Sequence, residues 1–284
     1  MAIVFYSTVI ACLLLFPAET SEAALHALKI WGTSVVPFLF PYMVFSRHLS
    51  RLLSANTHPP VPAAALLGML GGSPSGAAML CTCVRWIPAR SFYALCMLTG
   101  TISPMFILGT IRNWSNDPAF CRLLLLCHWA GAVIGTGIIA FLYRHNTALP
   151  KMYHDEKTMS FASPVAQSID AILQVGGNII ACSVLAVIWR KLLFFFSFMQ
   201  PLLHAALEVS GGAYAILKSN WPSAVRSIAM SAALGFSGIS ILSQNHYFLH
   251  PYGIKMTQLL VFALLRSIVS ALCMAMILGV LRIS

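Results

Sequence analysis

The sequence predicts an all-α polytopic membrane protein built as two inverted repeats, each with a re-entrant or broken helical hairpin, plus an extra N-terminal helix. Three observations carry this. Charged residues are 8% of the 284, and the AVILMFWYC set is 59%, against about 25% charged residues in an average soluble chain. Several apolar windows reach the roughly 18–20 residues that cross a bilayer. Turn-forming residues interrupt those windows at matched places in the two halves of the chain. With no stretch of soluble-domain composition, residues 1–284 are expected to form a single membrane domain.

Taken in order, residues 1–17 open with "MAIVFYSTVIACLLLF". This apolar run lacks the basic leader of a signal peptide and reads as an uncleaved first helix. In "PAETSEAALHALKIWG", Thr20 or Ser21 followed by Glu22 resembles a helix start, with acids near the positive end of the helix dipole. Repeat 1 covers 28–145, in segments of about 28–52, 62–85, 90–112 and 120–145. Repeat 2 covers 164–284, in segments of about 164–192, 201–218, 222–246 and 255–282. The polar linker between them is "YRHNTALPKMYHDEKTMSFAS", residues 143–163.

The two sets correspond in order. "LGMLGGSPSGAAML" (67–80) faces "LEVSGGAYAIL" (207–217), and "LTGTISPMFILG" (98–109) faces "LGFSGISILSQ" (234–244). "LLLLCHWAG" faces "VFALLRSIV", with one ionisable residue in each, His128 and Arg266. Glycine costs a helix interior about 1 kcal/mol and proline about 3, so such residues in a membrane span need a reason. Paired Gly/Pro-interrupted segments in two halves are the sequence pointer to a transporter's substrate site. If 62–85 and 201–218 are re-entrant, each half keeps an odd number of crossings and the halves are inverted. Lys and Arg then divide evenly between the two sides, so charge does not orient the protein.

A broken helix frees N–H and C=O groups that lipid cannot satisfy, so it belongs in protein or beside a water-filled cavity. Gly71, Gly72, Ser73, Pro74, Ser75 and Gly76 therefore read as a binding element offering N–H donors and two hydroxyls; a tight helix crossing through small residues is the alternative. Ser103 and Pro104, Ser210, Gly211 and Gly212, and Ser237, Ser240 and Gln244 flank the other interruptions and are expected to line the same site. Of the seven acids, Glu19, Glu22, Asp117, Asp155 and Glu156 are assigned to loops, and Asp170 to an interfacial helix start. Glu208 alone sits beside a break. It reads either as a coupling or gating group or as a carboxylate capping the turn. Arg266, eleven residues past Lys255, falls near mid-bilayer at about 1.5 Å per residue. Its partner is either Glu208 or an anionic substrate. His128 is either a packing residue or a second gating group. "NHYFLHPYG" (245–253) reads as an interfacial loop with aromatics at headgroup depth.

Several functions are disfavoured. The net charge of +10 comes from Lys and Arg scattered over short loops, as anchors are, and not from a nucleic-acid footprint. The eight cysteines lack metal-ligand spacing; Cys81 and Cys83, two apart, do not share a helix face. No P-loop, GxSxG or HExxH appears, so neither an enzyme nor a cofactor or metal site is expected. The expected partners are the lipid bilayer, a small solute (an organic anion or nucleoside-like) and a coupling proton or cation.

"GGSPSGA", "SPMFILG" (103–109), Cys127-His128-Trp129, "LEVSGG" and "GFSGIS", in that order, resemble the nucleoside-transporter/FeoB Gate-domain superfamily, and its sporulation branch most. The resemblance runs from about Trp31 to the end. It implies a transporter-like protein with two inverted repeats and re-entrant hairpins in a bacterial cell membrane. For the sporulation branch it implies dipicolinate import across the outer forespore membrane. Gly72, Pro74, Gly76 and Ala77 match the first hairpin element, Pro104 and Phe106-Ile107-Leu108-Gly109 the next motif, His128 a family histidine and Glu208 the second-hairpin acid. The chain departs from the pattern at Gly100-Thr101-Ile102-Ser103, where an Asn pair and Gly are common, at Ala78 (often Lys) and at Gly211 (usually Asn). A non-transporting sporulation scaffold and a nucleoside or metal-ion gate are the alternative functions.

Overall fold

A computed structural model describes residues 2–54, 61–144, 163–192 and 198–281. The linker residues 145–162 lie outside the described residues. Among those described, the chain is helical throughout, with four helices long and apolar enough to cross a membrane, or five if one bent pair is a single span. It is an all-α polytopic membrane protein.

α1 (Ala2–Leu15) and α2 (Pro17–Ile30) meet at 102° around Phe16. The helix start expected at Thr20 or Ser21 lies earlier. Pro17 takes the first helical position, where a missing N–H costs nothing, so Glu19 and Glu22 are helical and not in a loop. Glu19 pairs with Lys191 at 2.6 Å on the exposed surface. α2 runs through a π-helical segment, Trp31–Val35, directly into α3 (Val36–Ser54). Trp31 Nε1 donates to the Ile172 carbonyl at 3.1 Å, and a Cβ on Gly176 would stand 2.6 Å from its ring. This glycine therefore seats the indole on the helix Pro164–Leu192 (α9).

α4 (Val61–Gly71) and α5 (Ser75–Thr82) form the first hairpin, and α10 (Gln200–Leu207) and α11 (Val209–Leu217) the second. At 1.5 Å per residue the arms are about 12–16 Å long, so none crosses a bilayer core of about 30 Å alone. The arms of each hairpin pack on one another where side chains vanish. A Cβ on Gly76 would stand 2.7 Å from the Gly68 carbonyl, and one on Gly212 would overlap the Ala205 backbone. The first break is shorter than the six turn-type residues predict: Gly71 ends α4, while Ser75 and Gly76 already belong to α5.

The third segment of each half is a helix broken once. α6 (Ala89–Thr99) stops at Gly100 and resumes at Pro104 through a π-helical stretch, Phe106–Ile111, into α7 (Arg112–Ser115). α12 (Ser223–Phe236) and α13 (Gly238–Leu249) continue one span, Ser223–Tyr252, interrupted at left-handed Ser237 and Gly238, with φ of 71° and 82°. α13 thus carries residues 245–249, which the interfacial-loop reading of "NHYFLHPYG" had placed outside a helix, and Asn245 is buried. Its Nδ2 finds a partner inside the protein, which outweighs the local loop chemistry of His250-Pro251.

α8 (Pro118–Leu142) and α14 (Met256–Leu281) close the two halves, and α9 (Pro164–Leu192) opens the second. Asp117 caps α8 by accepting from Ala119 and Phe120 N–H, each at 3.0 Å. The packing follows one pattern twice. In each half the hairpin and the last helix pack on the first arm of the broken helix, and the halves meet through α3 against α9 and α8 against α14. None of the eight cysteines is in a disulfide.

Candidate functional site

Each hairpin tip docks on the break of the helix that follows it. In the first half Ser73 N–H donates to the Thr101 carbonyl at 2.6 Å. Gly72, at φ 66°, lies so close to Ile102 and Ser103 that a Cβ would enter their backbone. In the second half a Cβ on Gly238 would stand 3.1–3.3 Å from the backbone of Ala205, Leu207 and Val209. Asn245 joins the halves: its Nδ2 donates to Ser73 Oγ at 2.9 Å.

Between the two tips lies a cavity of about 70 Å³. Its lining draws on every broken segment: Ser73 from the first tip, Ile102 and Ser103 from the first broken helix, Glu208 and Ser210 from the second tip, Gln244 from α13. Val35, Leu39, Phe106, Val175, Ile179, Val209 and Ile241 make most of the wall, and Ser34 adds a hydroxyl from the first π-helical segment. Both π-helical segments thus reach the cavity, as such segments often do at functional sites. Among the described residues, no Lys, Arg or His lines the cavity.

Glu208 is buried in extended conformation between α10 and α11, and its carboxylate caps α11. Oε1 accepts from Ser210 N–H at 2.8 Å and Oε2 from Gly211 N–H at 2.6 Å. Two orphan donors are satisfied and a negative charge sits at the positive end of the helix. No salt bridge reaches it among the described residues.

Arg266 meets neither partner that the sequence left open. It is buried, away from the cavity lining and from Glu208. Nε donates to the Gly235 carbonyl at 2.7 Å, Nη1 to the Met97 carbonyl at 3.3 Å and Nη2 to Ser237 Oγ at 3.2 Å. Met97 and Gly235 lie in the last turns of α6 and α12. The guanidinium therefore holds the negative ends of both broken helices, where orphan carbonyls and the dipole favour a cation. Gly131 and Gly235 let α8 and α12 approach α14 at this level. His128 is also buried away from the lining, with Nε2 accepting the Ile102 N–H freed by the first break, at 3.1 Å.

Of the residues singled out by sequence, Ser73, Ser103, Glu208, Ser210 and Gln244 come together at the cavity. Ser240 lies one hydrogen bond behind, 3.4 Å from Gln244 Nε2. Gly71, Gly72, Pro74, Ser75, Gly76, Pro104, Gly211, Gly212 and Ser237 shape the breaks without lining the cavity. Sequence reasoning passed over Ser34, Asn245 and buried Thr101. Asn245 had a signal, a carboxamide one residue past Gln244, but the aromatic loop composition that follows hid it.

No family model matches the chain, and no solved structure matches it. The chain is similar to the sporulation integral membrane protein YlbJ of Bacillus subtilis (strain 168), with 23% identity over 328 aligned positions, covering 94% of this chain and 79% of that protein.

Proposed function

We propose that this protein carries a small organic solute across a bacterial cell membrane, binding it between the two hairpin tips. One observation carries the reading: both interruptions that the sequence pairs contribute polar groups to a single cavity, with Glu208 at its edge. The first tip holds the solute, and the second, with its titratable acid, couples or gates. Movement follows from one set of four segments rocking against the other as inverted repeats.

The solute is the dicarboxylate dipicolinate, taken up through the outer forespore membrane during spore formation. Similarity to a sporulation membrane protein supports the setting. The cavity supports the shape, since a flat ring suits the walls of Val35, Ile102, Phe106, Val175, Ile179 and Ile241. Carboxylate oxygens would accept from the hydroxyls of Ser73, Ser103 and Ser210 and the amide of Gln244. With no cation among the described lining residues, a second reading is an uncharged nucleoside-like solute donating hydroxyls to ionised Glu208.

The test is uptake of labelled dipicolinate and labelled uridine into liposomes holding the purified chain, with Glu208→Gln alongside. Dipicolinate is expected to accumulate, and Glu208→Gln to abolish accumulation while leaving exchange. Uptake of uridine alone selects the second reading. Uptake of neither, with the protein folded, replaces transport by a scaffold role.

A further inference from the structure

We propose that the coupling ion is a proton and that it reaches Glu208 through His204 from a second cavity; this rests on Glu208 being the coupling group of the proposed transporter. The second cavity, of about 220 Å³, is lined by the second hairpin and shares no lining residue with the first. It is walled by Ala186, Trp189 and Arg190 at the C-terminal end of α9 and by Gln200, Leu203 and His204 of α10. Trp189 and Arg190 are exposed, so the cavity opens at the polar end of α9.

His204 belongs to the lining of the second cavity and not to that of the first. Its ring lines the second cavity, yet Nε2 is buried without a hydrogen-bond partner. That nitrogen lies 2.5 Å, and Glu208 Oε2 lies 3.3 Å, from the point where a Cβ of Gly211 would stand. The two atoms therefore flank one glycine, and any side chain at 211 would part them. A buried imidazole nitrogen with no partner is costly, and the carboxylate that lines the first cavity stands across Gly211 from it, beyond the 4.0 Å of an ion pair and within reach of one bridging water. Arg190 of α9 and His26 of α2 face His204, and Cys182 of α9 faces Glu208. α11 presents the Ser210 and Gly211 amides, and the α12–α13 junction presents the Gly238 backbone.

The step balances as a proton transfer. His204 takes a proton from water in the second cavity and passes the Nε2 proton to Glu208 Oε2 through one bridging water, which gives up one proton as it takes the other. The imidazole ends neutral, and the carboxylate becomes a carboxyl. A neutral carboxyl accepts hydrogen bonds weakly, so the Ser210 and Gly211 amides at the head of α11 are released toward the first cavity. Gln244 Oε1, buried and unpartnered in that lining, is a ready acceptor for the new Glu208 O–H or for a solute donor. In this scheme Glu208 is a tethered competitor for the donors that a solute carboxylate needs. Its protonation removes the one negative charge among the described lining residues as the anion enters.

The experiment follows protonation of Glu208 itself, in liposomes holding the full chain. The carboxyl C=O stretch that Glu208→Gln removes is recorded by infrared difference spectroscopy after an acid jump. His204→Ala is expected to slow its appearance by about a hundredfold, the scale of a positioned proton-transfer group, and added imidazole to restore it. Gly211→Ala, which changes no ionisable group, is expected to slow it as well. An unchanged rate in both variants, or no imidazole rescue of His204→Ala, overturns the relay. Dipicolinate uptake is measured in the same liposomes. Glu208 protonation that depends on His204 without any solute uptake would sustain the relay and sink the transport reading. Uptake with no associated proton entry would do the reverse.

Discussion

Arg266 is a cation at a depth where lipid tolerates one poorly, and its donors end on Gly235 O, Met97 O and Ser237 Oγ. Its role follows from what the breaks leave behind, which is half-helix C-termini with free carbonyls in the interior. Glu208 answers the complementary need at a half-helix N-terminus, and His128 accepts the Ile102 N–H. Each of these ionisable groups thus satisfies backbone that the breaks orphaned. Arg266→Met keeps the bulk and removes the donors. It is expected to lower stability by about 2–4 kcal/mol, since buried carbonyls lose their partners. The check is thermal unfolding of the detergent-solubilised protein. A change within measurement error would mean that water reaches those carbonyls.

At the scale of elements, glycine decides how closely the backbones approach. Gly212 lies where a Cβ would enter the Ala205 backbone, whereas nothing lies within 4 Å of a Cβ on Gly177 in α9. Gly212→Ala must part the arms of the second hairpin and is expected to cost about 1–3 kcal/mol, as overpacking does. Gly177→Ala is expected to be neutral or to stabilise by up to about 1 kcal/mol through helix propensity. Equal effects of the two substitutions on unfolding temperature would contradict this packing. The outer helices follow the inside-out pattern of a membrane. α14 exposes Val261, Leu264, Ile268, Leu272 and Met276 along one stripe, while Arg266, Ser270 and Met274 face inward. That division follows from helical period alone. Which inward groups meet does not, because it depends on neighbouring helices far away in sequence.

The whole molecule repeats one device: a hairpin tip docked on the break of the next helix, twice, with a cavity between the two tips. Ser73 and Ser210 are far apart in sequence yet line the same space. In a chain whose native cysteines are replaced, Ser73→Cys and Ser210→Cys are expected to react with a water-soluble thiol reagent. Dipicolinate is expected to protect both, and Leu264→Cys on the lipid stripe to stay unreactive throughout. Protection of one cavity thiol and not the other would separate the two tips into different sites.

The sequence by itself determined the membrane class, the helical segments and the paired breaks. These follow from local quantities: apolar run length, the cost of Gly and Pro inside a helix, and order along the chain. It also marked Glu208, since a carboxylate inside an apolar run stands out wherever it is. Its choices for Arg266 were local too, a carboxylate or a substrate, because opposite charges are the partners a sequence displays. Backbone carbonyls freed at two helix ends are not displayed, and only the tertiary structure brought Met97, Gly235 and Arg266 together. It alone likewise placed Asn245 on Ser73, separated Arg266 from the cavity and set His204 and Glu208 on either side of Gly211. Each of these rests on contacts between distant segments, where the need to satisfy every buried polar group outweighs local preference.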